Sequence, residues 1–543
     1  MRHVPVLVVG GSLTGLSAAL FLGMHAVPAL VVERRGSILA HPRLRGLLPR
    51  AVELYRQAGL EEEITAIYPS NPPTEQLVSV HAATLADEHE ILGETAGAKD
   101  TGNTGNTGNT GDTEETAEPL SPCSFVPIGQ HELESLLAER IRAQGAELCF
   151  GTELTGWEQD PDGVTARLRG PDGATRTVRA RYLIAADGAS SGIRRRLGIG
   201  TVGPGTLFRM ATMHIRADLS PALRGRPVGM AYLDRPAAGT TLGPLDSTGL
   251  HWFFATAVPA GARRPDPVAW VRAATGLPDL EVRLLDQLPG GGEQVFTFPV
   301  GARVAERYAQ GRVFLAGDAA HLMPPTGTLG GLTCIEDAHN LAWKLALVLR
   351  REAGPGLLDS YAAERRPVAE RNMRQAYARA LARWRLPGRT MDEPLLDTDT
   401  LMYGFRYRSP AAGSAGNGAP EPGAPHPLPA APDGLPGTRA PHLSVSQDAA
   451  APMSTLDLYG SRLVLLVGPE ADAWAAAARR AGRLLSVPVE VYHLDGELAE
   501  PHGLGAFGAL LVRPDGHVAW RASDAGADPD RDFERVLRAV LAR

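Results

Sequence analysis

Short apolar runs alternate with glycine-rich turns at the start of the chain. Residues 6–9 are apolar, residues 10–15 are rich in glycine, and residues 16–20 are small or apolar. This pattern predicts a buried strand, a tight turn and the beginning of a helix. A second apolar run at 29–32 ends in Glu33 and predicts the next strand.

Two later segments repeat the pattern of a strand that runs into a glycine–aspartate turn. Residues 181–186 predict a strand that leads to Asp187. Residues 312–316 predict another, which leads to Gly317 and Asp318. Each turn places a carboxylate directly after a strand.

A long apolar helix is predicted after the second of these turns, as far as residue 349. Thr333 and Glu336 have the spacing of a capping box. We therefore expect the helix to begin near Leu332. Its positive end would point at whatever the preceding turn holds.

The middle of the chain has a different period. Apolar and polar residues alternate at 250–255, and we expect a sheet of antiparallel strands over 203–298. Residues 93–118 contain three Thr-Gly-Asn repeats and are predicted to be a flexible insertion. Residues 406–441 are rich in proline, glycine and alanine and are predicted to be a linker.

The last hundred residues predict a separate α/β unit. The expected order is a strand, a helix and a strand, then a hairpin and a final helix at 530–541. This order resembles the thioredoxin fold. The turn before the first helix, residues 468–471, has no cysteine. A redox role needs cysteines there, so we expect a unit for packing or dimerisation.

Composition narrows the class of protein. The chain has 543 residues, a net charge of −7 and three scattered cysteines. This length predicts two or more domains, and the negative charge argues against a nucleic-acid partner. The sequence has no apolar stretch long enough for a membrane span. The cysteine spacing predicts no metal site and a cytoplasmic, reducing environment.

The first glycine turn carries candidate chemistry. A strand, a glycine turn and a helix N-terminus can hold a dinucleotide pyrophosphate on free N–H groups. Ser12 stands where the usual pattern has its middle glycine. Glu33 lies about 20 residues further on, where an acid accepts hydrogen bonds from ribose hydroxyls.

Taken together, these motifs resemble those of the single-component FAD aromatic hydroxylases related to para-hydroxybenzoate hydroxylase. Within that family they are most similar to the enzymes that tailor bacterial aromatic polyketides. The resemblance spans nearly the whole chain. The chain departs from the family at Leu332, where relatives usually have asparagine, and at Cys334, where they usually have glycine.

The resemblance implies a mixed α/β fold in three parts. A Rossmann-like FAD-binding domain would comprise residues 1–78, 119–202 and 299–405. An antiparallel-sheet substrate-binding domain would comprise residues 79–118 and 203–298. A thioredoxin-like domain at 442–543 would follow the linker.

The resemblance also implies FAD as the cofactor and assigns residues to it. The residues expected to bind FAD are Gly10, Gly11, Ser12, Leu13, Thr14, Gly15, Glu33, Arg34, Arg45, Gln130, Leu154, Asp187, Gly317, Asp318, Pro325, Gly330, Gly331 and Leu332. Arg45 and Pro324 are the candidate catalytic residues, since both are expected to shape the environment of the flavin.

The reaction implied by the resemblance is the hydroxylation of a polycyclic aromatic polyketide. The enzyme would be a monomer or a homodimer. NADPH or NADH would reduce FAD, and O2 would give a flavin C4a-hydroperoxide that passes one oxygen atom to the ring. Candidate residues of an apolar substrate pocket are Phe208, Met210, Trp252, Phe254 and Phe296. Each of these five is also an ordinary core residue type.

Three other functions stay open. The same cofactors support a Baeyer–Villiger-type or ring-opening oxidation. A flavin halogenase shares the fold, but the chain has no Trp-x-Trp-x-Ile-Pro stretch. A catalytically silent flavin-binding accessory protein is the third.

Overall fold

A computed structural model describes the chain outside residues 40–45, 68–76, 95–118, 247, 259–265, 288–291, 387, 391–392, 414–433 and 446–452. Arg45 lies outside the described residues. The same holds for most of the predicted insertion and most of the predicted linker.

The strands are β1 (Arg2–Val9), β2 (Ala29–Glu33), β3 (Val78–Ala82), β4 (Glu90–Glu94), β5 (Glu147–Phe150), β6 (Glu153–Asp160), β7 (Gly163–Arg169), β8 (Thr175–Ala185), β9 (Thr201–Arg216), β10 (Val228–Leu233), β11 (Thr240–Pro244), β12 (His251–Ala257), β13 (Arg283–Leu285), β14 (Phe296–Ala305), β15 (Ala309–Gln310), β16 (Val313–Leu315), β17 (His321–Leu322), β18 (Leu463–Val467), β19 (Val489–His493), β20 (Ala509–Val512) and β21 (Val518–Ala522).

The helices are α1 (Leu13–Met24), α2 (Pro49–Gln57), α3 (Glu61–Ala66), α4 (Gln130–Ala143), α5 (Gly192–Arg196), α6 (Ser220–Leu223), α7 (Pro267–Thr275), α8 (Leu329–Leu349), α9 (Asp359–Trp384), α10 (Thr398–Tyr403), α11 (Asp472–Leu485), α12 (Gly496–Ala499) and α13 (Pro529–Val540).

The first sheet contains the strands that precede the glycine motifs. Its order is β15-β16-β8-β1-β2-β5, and β6 and β7 join it through β8. The pairs β1–β2, β1–β8 and β8–β16 are parallel. Every residue of β2 and of β16 is buried, as expected for parallel strands that are covered on both faces. The carboxyl ends of these strands therefore meet at one edge of the sheet.

Helix α8 begins three residues before the predicted start. It starts at Leu329, after Thr328 in a left-handed conformation. The Thr333 hydroxyl donates to the Leu329 carbonyl oxygen at 2.7 Å. The Glu336 carboxylate pairs with Arg365 at 2.9 Å. The capping-box interpretation was wrong, because a threonine inside a helix can return its hydroxyl to the carbonyl four residues earlier.

The second sheet has the order β17-β14-β9-β12-β11-β10-β3-β4, with β13 paired to β9. Strand β14 continues to Ala305, past the predicted domain boundary at 298. One face of the sheet packs against α6 and α7. The opposite face packs against the end of α9. This second face is thus the one turned toward α9, which also packs against the first sheet.

The C-terminal unit, residues 453–543, contains a third sheet of order β19-β18-β20-β21. Strands β18 and β19 are parallel, and the other two pairs are antiparallel. Helices α11 and α13 contact the sheet through Trp474 and Phe533, whose rings meet Trp520. The predicted order of elements is observed, and the mixed α/β class with several sheets is confirmed. The thioredoxin-like assignment and the domain boundaries stay predictions.

Within the described ranges, none of the helices combines the length and the apolar character that crossing a bilayer requires.

Candidate cofactor site at the edge of the first sheet

Three motif-bearing turns leave the first sheet side by side. Val9 is level with Ala185 in the pair β1–β8, and Ala185 is level with Leu315 in the pair β8–β16. The Ala186 N–H donates to the Val9 carbonyl, and the Ala316 N–H donates to the Ala185 carbonyl. The first glycine turn, the Asp187 turn and the Gly317 turn therefore start at the same level.

The glycines of these turns are required by how closely the turns approach. Gly10 has a φ of 116°, and a Cβ atom there would lie 2.1 Å from the Ala186 carbonyl oxygen. Gly317 has a φ of 60°, and a Cβ atom there would lie 2.2 Å from the Thr14 hydroxyl oxygen. Any larger side chain would push the turns apart.

Glu33 fixes the first turn from the end of β2. One carboxylate oxygen accepts the Gly11 N–H and the other accepts the Arg35 N–H, both at 2.9 Å. A cleft of about 310 Å³, open to solvent, lies beside this carboxylate. Its lining residues are Gly11, Ser12, Glu33, Arg35, Ser37, Ile38, Leu39, Gln130 and Glu134. The cleft thus brings together four residues expected from the sequence: Gly11, Ser12, Glu33 and Gln130.

Glu134 was missing from the predicted site. Its carboxylate accepts hydrogen bonds from the Leu13 N–H at 2.9 Å, the Ser12 hydroxyl at 2.5 Å and the Gln130 amide at 2.6 Å. It therefore fills one acceptor position at the N-terminus of α1. The available signal was its spacing, because four residues after Gln130 on α4 is the same helix face.

The Asp187 carboxylate has one satisfied oxygen and one unsatisfied oxygen. Oδ2 accepts the Ile193 N–H at 3.1 Å. Oδ1 is buried and has no hydrogen-bond partner among the residues that the structure describes. A buried carboxylate oxygen without a donor is costly, and a ligand hydroxyl would remove that cost.

Asp318 is exposed at the same edge. The Cys334 thiol lies 3.8 Å from its Oδ1 atom. Burial and then the Asp318 charge raise the pKa of the Cys334 thiol well above its usual value. This cysteine is therefore a protonated neighbour of Asp318.

Helix α8 begins close to the Gly317 turn. The Thr328 side chain makes no capping hydrogen bond within the described part of the chain. The N–H groups of the first helical turn, which includes Gly330 and Gly331, have no acceptor inside the helix. Leu332 belongs to the helix, with its side chain buried and its N–H directed to the Thr328 carbonyl at 3.5 Å. This helix end favours an anion or an acceptor atom.

The remaining residues predicted to bind FAD are Arg34, Leu154 and Pro325, and Pro324 is the remaining catalytic candidate. Arg34 is exposed, whereas its neighbour Arg35 lines the cleft. Leu154 lies on β6, two residues after Thr152, whose N–H donates to the Glu33 carbonyl. In the loop before α8, Pro324 is buried and Pro325 is exposed.

The five predicted pocket residues do not share one wall. Phe208 and Met210 pack with Trp384 of α9 on one face of the second sheet. Trp252 and Phe254 belong to the core on the opposite face. Residues at odd and even strand positions point to opposite faces, so these two sets cannot line a single pocket.

The face toward α9 also holds the predicted residue Phe296, together with Phe298, Tyr232 and Arg383, which the sequence did not indicate. Phe298 is level with Met210, and Phe296 is level with Thr212, so both belong to this face. A polar pair lies here too, because the Arg383 guanidinium is 3.3 Å from the Tyr232 hydroxyl. This face therefore combines aromatic side chains with a hydroxyl and a cation.

The donors and acceptors at the sheet edge suit a group that carries both phosphates and hydroxyls, as a flavin dinucleotide does. Residues 3–376 match the family model of an FAD binding domain. Residues 433–543 match the model described as aromatic-ring hydroxylase, C-terminal. The chain belongs to the FAD-dependent aromatic-ring hydroxylases, which are monooxygenases.

Individual relatives cover the whole chain. A 4-methyl-5-nitrocatechol 5-monooxygenase of Burkholderia sp is 38% identical, over 100% of this chain and 98% of the relative. An aklavinone 12-hydroxylase of Streptomyces purpurascens is also 38% identical, over 100% and 99%. A solved ternary complex of aklavinone-11 hydroxylase with FAD and aklavinone superimposes with a TM-score of 0.86 at 37% identity, covering 100% of both chains.

Proposed function

We propose that this monooxygenase uses a nicotinamide dinucleotide and O2 to hydroxylate a polycyclic aromatic polyketide. The observation that carries the proposal is the convergence of three turns at one sheet edge, with the unsatisfied Asp187 oxygen among them. The names of the aklavinone hydroxylases support the choice of substrate class.

FAD would be held by the three turns and by the two helices that start beside them. The pyrophosphate would lie at the N-terminus of α1, where Glu134 occupies only one of the free N–H groups. Glu33 and Asp318 would accept hydrogen bonds from hydroxyls of the cofactor, and the first turn of α8 would face the flavin ring. When bound, FAD supplies the transfer of one oxygen atom from O2 to the substrate ring.

The substrate would lie on the face of the second sheet turned toward α9. Phe208 and Phe298, which are half-buried and are backed by the buried Trp384, offer flat apolar surface for fused rings. The Tyr232 hydroxyl and the Arg383 guanidinium would contact a phenolic oxygen of the substrate. A guanidinium stabilises a phenolate, which is the more electron-rich form of the ring. These residues orient the substrate and exclude water from it.

Steady-state oxidation of NADPH and NADH tests this proposal. The purified protein, loaded with FAD, is assayed with polycyclic phenols under 18O2. We expect substrate-stimulated oxidation and a product that gains one 18O atom with its ring carbons intact. An enzyme that no polycyclic phenol stimulates would contradict the proposal, and a ring-opened or ring-expanded product would favour the Baeyer–Villiger-type reaction.

A substituted catechol is the second candidate substrate. It is favoured by the Burkholderia relative, which is as similar to this chain as the aklavinone hydroxylase is. The ratio of kcat/KM for a polycyclic phenol to kcat/KM for a nitrocatechol separates the two. We expect this ratio to exceed one.

A further inference from the structure

The C-terminal unit contacts the rest of the protein through charges that are fully buried. The turn between β20 and β21, residues 513–517, contains Arg513, Asp515 and His517, and each is at most 2% exposed. Arg513 binds both carboxylate oxygens of Glu364 on α9, at 2.7 and 2.8 Å. Asp515 accepts the Asn340 amide of α8 at 3.1 Å. One turn of the C-terminal unit therefore holds both long helices.

The charges at this contact balance. Lys344 of α8 also binds Glu364, at 2.7 Å. The cluster thus contains two cations, Lys344 and Arg513, and two anions, Glu364 and Asp515. Burial opposes ionisation of Glu364, but Arg513 and Lys344 outweigh it and lower the pKa of its carboxyl. Burial lowers the pKa of the Lys344 amine to about 8, which is still above neutral pH. All four groups are therefore charged at pH 7, and their geometry is tightly specified.

Arg365, the residue after Glu364 on α9, continues this network toward the cofactor site. Arg365 binds Asp337 through Nε at 2.9 Å and Glu336 through Nη2 at 2.9 Å. Asp337 lies on α8 and is fully buried. Its second oxygen accepts the Gly317 N–H at 3.2 Å and bonds His321 at 3.0 Å. Asp337 therefore joins the α8–α9 pair to the turn that presents Asp318.

We propose that the turn at 513–517 of the C-terminal unit is a clamp for the FAD site. It fixes α8 against α9 through Glu364 and Asn340, and Arg365 and Asp337 carry that alignment to the Gly317–Asp318 turn. Asp337 and Asp515 are positioning residues in this scheme, since both act through other groups. The inference rests on the proposed contact between the Gly317–Asp318 turn and FAD.

The FAD dissociation constant of the full-length protein tests the clamp, measured by flavin fluorescence. We expect Asp515→Asn to raise it about tenfold, which is within the range of coupling through packed networks. Asp337→Asn should raise it further. The double variant should resemble Asp337→Asn alone, because both substitutions break the same chain of contacts.

Two further variants separate positioning from simple loss of stability. Arg513→Lys keeps the charge but loses part of the paired contacts that Arg513 makes with Glu364 and with Asp515, and should raise the dissociation constant by less than Asp515→Asn does. Asp530→Asn breaks the exposed pair with Arg480 inside the C-terminal unit and should leave it unchanged. The Tm of each apoprotein is measured alongside, and binding is measured well below it.

The possible outcomes are distinct. A wild-type protein that does not bind FAD would overturn the proposed function. If the wild-type protein binds FAD and the Asp515→Asn and Arg513→Lys variants bind it with the wild-type affinity, the clamp is wrong and the proposed function stands. Additive effects of Asp515→Asn and Asp337→Asn on binding would also overturn it.

Discussion

The first turn and the middle of α8 treat their polar groups in opposite ways. At the first turn of α8 and at the strand turns of the sheet edge, the Thr328 side chain makes no cap, Asp318 is exposed and one Asp187 oxygen is unsatisfied within the described residues. In the middle, Asp337 and Lys344 are fully buried and ion-paired. Since buried polar groups in proteins are normally satisfied, the first region has the character of a ligand site and the second that of structure.

The middle region is not completely satisfied. Glu336 Oε1 and His517 Nε2 have no hydrogen-bond partner among the described residues. Both line a small gap between α2, α8 and the C-terminal unit. Ordered water in this gap would bridge them, as buried water commonly does.

The largest expected effect is on stability and comes from the middle region. Glu364→Gln leaves two buried cations, Lys344 and Arg513, without their shared partner. We expect the free energy of unfolding of the apoprotein to fall by about 3–5 kcal/mol. Urea unfolding measures it. Asp530→Asn, which breaks an exposed pair, should cost under about 1 kcal/mol, and equal losses in the two variants would erase the distinction.

Near the first turn of α8 we expect the opposite result, a loss of FAD affinity without a loss of stability. Asp318→Ala should leave the Tm of the apoprotein nearly unchanged, because the side chain is exposed. It should weaken FAD binding by about 1.5–3 kcal/mol, since hydrogen bonds to a charged group are lost. Fluorescence titration with FAD measures the change. A variant that loses stability but keeps its FAD affinity would show that Asp318 is structural.

Acid should act on two buried histidines. Burial and then Arg350 lower the pKa of His25 to about 4, and burial lowers that of His339 to about 3. Below pH 6.5 the unfolded chain binds protons that these folded histidines do not. Stability should therefore be present at neutral pH and fall toward pH 4, with a slope of up to about 1.4 kcal/mol per pH unit for each histidine.

Urea unfolding at pH 7, 5.5 and 4.5 measures this slope. His25→Gln and His339→Gln should each make it shallower, because glutamine takes up no proton. A stability that is flat over this range would contradict the assignment of both histidines as neutral.

The smallest effect is expected on the face of the second sheet that is turned toward α9, where we propose that the substrate binds. Tyr232→Phe removes the hydroxyl that lies beside Arg383 but keeps the ring. We expect KM for a phenolic substrate to rise by a factor of about 2–10, as for one lost hydrogen bond of about 0.5–1.5 kcal/mol. FAD affinity should not change. Steady-state kinetics with the matched Phe298→Leu variant shows whether the hydroxyl or the packing matters more.

Local patterns explain what the sequence could predict. The three strand–turn segments were found because a buried strand and a following turn are encoded by adjacent residues, as at Gly10 and Gly317. The start of α8 was misplaced because Thr333 suits either a cap or a helix interior. Alternation showed that β12 has two faces but not which of them meets α9, so Trp252 and Phe254 were grouped with residues of the other face.

Long-range pairing explains what the sequence could not predict. Arg513 and Glu364 are 149 residues apart, and no local pattern links them. Glu134 reaches the N-terminus of α1 from a helix more than a hundred residues away. Such contacts follow from the packing of whole units, and they decide which polar residues are left free to bind a ligand.

A crystal structure of the protein with FAD would show where the cofactor binds. We expect the dinucleotide across the carboxyl edge of the first sheet, in contact with the turn at Gly11, with Glu33 and with Asp318, and its flavin at the first turn of α8. FAD bound elsewhere, or density at this edge that leaves Asp318 and the N-terminus of α8 without contact, would contradict this placement.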